Sequence, residues 1–203
     1  MVAQAERDAV RRPRRGRRPA DEVREEVLQA SGELLFADGM SGFTIEKVAA
    51  LSGASKMTIY KWWPSKGALA LDGYFRKVEP ELGFPDTGEI ERDLRVQLRA
   101  FLGVIRDTVG GGIIGELIGQ AQLDPDLKAA FLQRYSGPRR ALAVAALRRA
   151  QERGQLDAAT DPEVVVDQLW GACYHRLLVP DQPLTADFVD ALLANVLWGI
   201  KSR

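Results

Sequence analysis

Apolar residues along most of this chain recur with the period of an α-helix. Val23, Val27, Ala30 and Leu34 follow one another at spacings of four, three and four, which draws one apolar stripe down a helix over residues 21–37. Asp21 and Glu22 sit at its start, where acidic side chains favour the positive end of the helix dipole, and Gly39 and Gly42 close it. Pro85 to Gly88 reads as a connection. Leu94, Leu98, Phe101, Leu102 and Ile105 share one face of a long helix within 89–109, and Gly110, Gly111 and Gly112 break it. Asp124-Pro125 and Asp161-Pro162 each pair a capping carboxylate with a proline where no intrahelical N–H is needed, so two further helical regions begin there. Within 125–153 a bend or break is expected around Ser136, Gly137 and Pro138. Thr185 caps a last helix running to about Ile200. No alternating, β-branched run flanked by hairpin turns occurs. The fold class is therefore all-α, an N-terminal three-helix unit followed by a larger helical domain, about nine helices altogether.

The stretch FTIEKVAALSGASKMTIYKWWPSKGAL, from Phe43 to Leu69, breaks that long-helix rhythm. Thr44 can cap a short helix with Ile45, Val48, Ala49 and Leu51 facing inward; Ser52, Gly53 and Ala54 turn the chain; Ser55 opens a second short helix that ends before Pro64. Two short helices joined by a glycine-containing turn make a helix-turn-helix. Ile59 and Trp63, four apart, anchor the second helix. Ser55, Lys56, Met57, Thr58, Tyr60 and Lys61 are left nearer solvent: donors for phosphates and base edges, with apolar surface for thymine methyls.

Charge supports that reading only through its distribution. The chain of 203 residues is formally neutral, but residues 1–19 hold seven arginines against Glu6 and Asp8, on an arm interrupted by Pro13, Gly16 and Pro19. Such an arm, expected to be disordered when free, suits phosphates or a narrow minor groove, with Arg17 and Arg18 nearest the folded part. The longest wholly apolar run, such as Ala141 to Leu147, is far shorter than the ~20 residues of a membrane span. No apolar signal core follows the arginines. The single cysteine, Cys173, excludes an intramolecular disulfide framework, so a reducing cytoplasm is the expected location. Catalysis finds little support. His175 is the only histidine, and at ~100° per residue it lies about 200° around a helix from Cys173. No nucleophile elbow, phosphate loop or metal-ligand cluster is present.

The order Thr44, Val48, Ala49, Gly53, Ala54, Ser55, Thr58, Ile59, Tyr60, Ser65, Lys66 and Leu69 resembles the DNA-binding signature of the TetR family of transcriptional regulators. The resemblance implies domains at 20–66 (helix-turn-helix) and 67–203 (ligand binding and dimerisation), after the arm of 1–19. It implies phosphate contacts from Thr44, Tyr60 and Lys66, with base-edge contacts from Lys56, Met57, Thr58 and Lys61. By the same resemblance the last two helices form a four-helix dimer interface, assigned to Val166, Leu169, Cys173, Leu192, Val196 and Ile200. A ligand pocket is assigned to Phe101, Ile105, Leu117, Gln120, Trp170 and Tyr174. The expectation is a homodimeric repressor of pseudopalindromic double-stranded operator DNA, released by a small hydrophobic or aromatic inducer, with no cofactor and no membrane partner. The alternative, a DNA-binding protein without a ligand, leaves the large C-terminal region unexplained.

Overall fold

The computed structural model describes residues 18–106, 109–179 and 182–199, so Arg17, Ile200 and the arm before Arg18 lie outside the described residues. α1 (Ala20–Gly42) breaks at Gly39, whose φ of 65° lies in the left-handed region. α2 (Ile45–Ser52) and α3 (Lys56–Trp62) form the helix-turn-helix, and α4 (Lys66–Val78) follows, prolonged by a 3-10 turn over Glu79–Leu82. Then come α5 (Ile90–Arg106), α6 (Gly110–Ala121), α7 (Pro125–Phe131), a π-helical segment Leu132–Ser136, α8 (Gly137–Glu152), α9 (Pro162–Leu178) and α10 (Ala186–Trp198). Because α7, the π segment and α8 run on without interruption, and with α1 counted as one rod across its kink at Gly39, nine helical rods are present among the described residues, and no strand.

The caps are those the side chains dictate. Asp124 accepts from the N–H groups of Asp126 and Leu127 at 3.0 Å, Asp161 from Glu163 at 2.9 Å, and Thr185 from Phe188 at 3.1 Å. Three local expectations are corrected. The glycines after Val109 open α6 instead of lying in a break. Leu51 is 63% exposed, and Ser52 takes the inward place, its hydroxyl donating to the Val48 carbonyl at 2.8 Å and so buried with a partner. No break occurs at Pro138. The Gly137 N–H reaches back five residues to the Leu132 carbonyl, and this widened turn carries the helix past a residue that cannot donate.

α1 and α4 lie against each other at a pair of glycines. A Cβ on Gly73 would stand 2.7 Å from Ser31 Cβ, and one on Gly32 would stand 2.9 Å from the Gly73 carbonyl oxygen. Two helices can approach this closely only where one of each facing pair of residues lacks a side chain, as Gly73 does opposite Ser31. Their apolar faces belong to one core that extends from Val27 through α5 to Leu193 in α10. α5 is the central rod. Its Asp93 is buried yet takes hydrogen bonds from the Thr87 N–H and hydroxyl, and Arg95 and Arg99 each donate to Asp190 of α10 at 2.7 Å.

Gly73→Ala is expected to lower stability by about 1–3 kcal/mol through overpacking. Gly119→Ala, on α6 with no heavy atom within 4 Å of the added carbon, is expected to raise it by about 0.5–1 kcal/mol. Chemical denaturation of both variants checks this; a similar shift in each would mean the crossing is not tight.

Candidate functional site

The local sequence builds a short, rigid reading head. Thr44 accepts the Lys47 N–H at 3.2 Å to start α2; Gly53, at φ 66°, ends it; Ser55 accepts the Thr58 N–H at 3.1 Å to start α3. Ile59 and Trp63 are fully buried beneath α3, while Met57 is 81% and Tyr60 50% exposed. Lys56 and Lys61 are exposed beside them and Thr58 is half-buried. Several of these groups already have partners. Lys56 Nζ lies 3.2 Å from Glu46 Oε1, and the Ser55 and Thr58 hydroxyls are 2.8 Å apart. Glu46 keeps its carboxyl below the usual range, through its own backbone N–H first and Lys56 second. Lys66 Nζ donates to the Met40 carbonyl at 3.1 Å, tying the start of α4 to the end of α1. Arg18 bonds Glu26 and reaches the Gly53 carbonyl at 3.2 Å, so its side chain lies against the turn of the helix-turn-helix.

Behind α3 lies a junction with no obvious sequence signal. The Trp63 indole N–H donates to Asp72 Oδ2 at 2.7 Å, and Arg134 Nη1 donates to the same oxygen at 2.7 Å. Asp72 is on α4 and its side chain is only 12% exposed. Arg134 is in the π segment, and its neighbour Tyr135 stacks on Phe75 of α4 with ring centroids 4.1 Å apart.

Tyr135 also belongs to a cavity of about 220 Å³ bounded by α5, the π segment, α8 and α9 and open to the surface on one side. Phe84, Phe101, Trp170 and Tyr174 give it aromatic walls, with Phe84 6.4 Å from Trp170 and Phe101 5.3 Å from Tyr174 between centroids. Gln97, Arg139, Arg140 and Asp167 are its polar groups. Arg140 is occupied by Asp167 and Glu163, and its hydrogen bond holds the Asp167 carboxyl below the usual range. Burial pushes the phenols of Tyr135 and Tyr174 up.

Of the six pocket residues assigned from sequence, Phe101, Trp170 and Tyr174 meet in this cavity. Ile105 instead lines a surface groove with Arg176 and Leu184. Leu117 is buried in the core, 1% exposed, and Gln120 bonds Glu116 one turn away. The interface assignment needs a larger correction. Val166, Leu169 and Cys173 are buried inside the single chain, with the Cys173 thiol pushed up to about 12 by burial. Spacing alone marks an apolar stripe but not which of two faces turns inward. The outward side of α9 carries Val164, Gln168 and Leu178; that of α10 carries Ala191, Ala194, Asn195 and Trp198. Leu192 and Val196 are half-buried between the two. Asp72, Arg134, Tyr135 and Arg139 are missing from the sequence-based sites, although Tyr135 and Arg139, four apart, share a helical face.

Residues 27–72 match the model described as bacterial regulatory proteins, tetR family, and residues 84–196 match the tetracyclin repressor-like C-terminal domain. The chain belongs to the TetR family. This TetR-family chain is 33% identical over 186 residues to the HTH-type transcriptional regulator YdeS of Bacillus subtilis (strain 168), covering 91% of itself and 93% of that protein. It is 31% identical over 177 residues to the DNA-binding transcriptional repressor TetR of Mycobacteroides abscessus, covering 84% of itself and 90% of that protein. It superposes on the crystal structure of the TetR family transcription regulator SCO0332 with a TM-score of 0.85 at 58% identity, covering 89% of this chain and 100% of that one. As a TetR-family member it is a DNA-binding transcriptional regulator and not an enzyme, and α2 and α3 are its DNA-binding helix-turn-helix.

Arg18 is thereby a link between the DNA-binding turn and the arm. Arg18→Ala is expected to change stability by less than about 1 kcal/mol, because its ion pair is exposed. Affinity for duplex DNA of any sequence should fall. Denaturation and fluorescence anisotropy on random duplex, run side by side, check it; unchanged affinity would remove Arg18 from the interface.

Proposed function

We propose that this TetR-family regulator works as a homodimeric repressor that holds a pseudopalindromic operator and releases it when a small molecule occupies the cavity between α5, α8 and α9. One observation carries the reading. Tyr135 in the cavity wall is the chain neighbour of Arg134, which shares the Asp72 carboxylate with Trp63 at the end of the recognition helix. A ligand that displaces Tyr135 moves Arg134 with it, and Asp72 then holds Trp63 differently.

Dimerisation is the second requirement of this reading. The outward sides of α9 and α10 offer small and apolar side chains to a second copy, which supports an isologous four-helix contact. Two recognition helices must then stand about 34 Å apart to enter successive major grooves. A ligand that favours another separation weakens both half-sites together. Preference for the DNA-incompetent state by a coupling of about 1–3 kcal/mol is enough to relieve repression.

Selection of bound sequences from random duplex DNA should yield a palindrome, and a compound screen on that duplex should yield molecules that release it. Lys56→Ala should relax preference at one base position, whereas Tyr60→Phe should weaken specific and random DNA alike. Ala194→Glu should give monomers with little operator affinity. A dimer that keeps its affinity after Ala194→Glu, or an equal loss on both DNAs for Lys56→Ala, contradicts the corresponding role.

A further inference from the structure

One cation in the cavity wall is uncompensated. Arg139 is half-buried, in the first turn of α8, and has no carboxylate partner among the described residues, whereas its neighbour Arg140 is held by two. Its protein contacts are neutral oxygens: the Leu82 carbonyl, and the Gln97 side-chain oxygen at 2.8 Å once that amide is turned to donate to the Gly83 carbonyl at 2.6 Å. A guanidinium has five N–H donors in a planar fork, so most of them remain available to a ligand. A charge withdrawn from water without a counter-ion is unfavourable, and an anion in the cavity relieves that cost.

The other charges of the cavity wall, Arg140 and Asp167, are paired with each other, and the rest of the wall around Arg139 is neutral donors and flat apolar surfaces. Burial raises the phenols of Tyr135, Tyr174 and Tyr74, and the positive charge of Arg139 acts against that rise in all three. The buried Tyr74 hydroxyl, whose ring lies 6.5 Å from that of Tyr135, has no hydrogen-bond partner. Phe84, Phe101 and Trp170 complete the walls. The volume of about 220 Å³ is below the ~300–1,000 Å³ of sites for drug-sized molecules and matches a group of one or two fused rings. One free guanidinium matches one negative charge. A phosphate dianion would need more cations, and an ammonium ion attracted by the aromatic rings would meet the charge of Arg139.

Resting on the reading of this cavity as the inducer site, we infer that its ligand is a compact aromatic carboxylic acid, its carboxylate paired with Arg139 and its ring held against Phe84, Phe101 and Trp170. Arg139 thereby determines specificity for anions over neutral molecules of the same shape.

The test uses three probes of one shape, 1-naphthoate, 1-naphthamide and 1-naphthylmethylammonium, titrated by calorimetry into the full chain. Naphthoate is expected to bind about tenfold or more tighter than the amide, and the ammonium not at all. Arg139→Gln should bring naphthoate down to the affinity of the amide while leaving the amide unchanged, and Arg139→Lys should restore part of the difference. Should Arg139→Gln fail to fold, Tyr174→Phe should weaken naphthoate several-fold more than the amide. Equal affinities for the acid and the amide, equal losses for both on substitution, tighter binding of the ammonium, or no binding of naphthoate at millimolar concentration would each overturn the inference. Operator release is read separately. Naphthoate that binds through Arg139 without releasing DNA keeps the anion site and defeats the inducer reading, whereas release by neutral compounds alone does the opposite.

Discussion

A carboxylate taken out of water must be satisfied by fixed donors, and Asp72 is satisfied from two directions at once. Its side chain is 12% exposed, and one oxygen receives both the Trp63 indole N–H and the Arg134 guanidinium at 2.7 Å. Trp63 ends the recognition helix, and Arg134 stands in the π segment that forms a wall of the cavity. Neither donor can move far without leaving a buried charge poorly paired. The orientation of α3 and the shape of the cavity are thus tied through one atom on α4, and α4 is itself clamped to α1 at the Gly32 and Gly73 crossing.

The π segment is what brings Arg134 and Tyr135 to that junction. The Gly137-to-Leu132 hydrogen bond carries the rod through, so Tyr135 stacks on Phe75 while Arg139 and Tyr174 face the same cavity. α9 also has two duties. Its inner side contributes Trp170 and Tyr174 to the cavity and its outer side contributes Val164 and Leu178 to the proposed partner contact. In the proposed dimer, the cavity and the contact that would set the separation of two recognition helices share this rod.

Much of this was legible in sequence because it depends on local chemistry. Asp124-Pro125, Asp161-Pro162, Thr185 and Ser55 mark helix starts through hydrogen bonds that span at most three residues, and each of those bonds is present. Ile59 and Trp63 declare the buried side of α3 by spacing alone. What spacing leaves open is which of two apolar faces turns inward. Val166, Leu169 and Cys173 form a regular apolar stripe, and only the positions of α5, α8 and α10 show that it turns inward. Leu51 and Ser52 exchanged places for a related reason: a serine that bonds its own helix carbonyl is buried at small cost. The Asp72 junction joins residues 63, 72 and 134, and no local pattern encodes a contact of that range.

Asp72 joins the recognition helix to the cavity wall. A double-mutant cycle of Trp63→Phe and Arg134→Gln, read as affinity for duplex DNA, measures that connection directly. The two effects should be non-additive by more than about 0.5 kcal/mol, and the non-additivity should vanish in an Asp72→Asn background. Additive effects, with the same result in the presence and absence of the Asp72 carboxylate, would show that helix and cavity are independent.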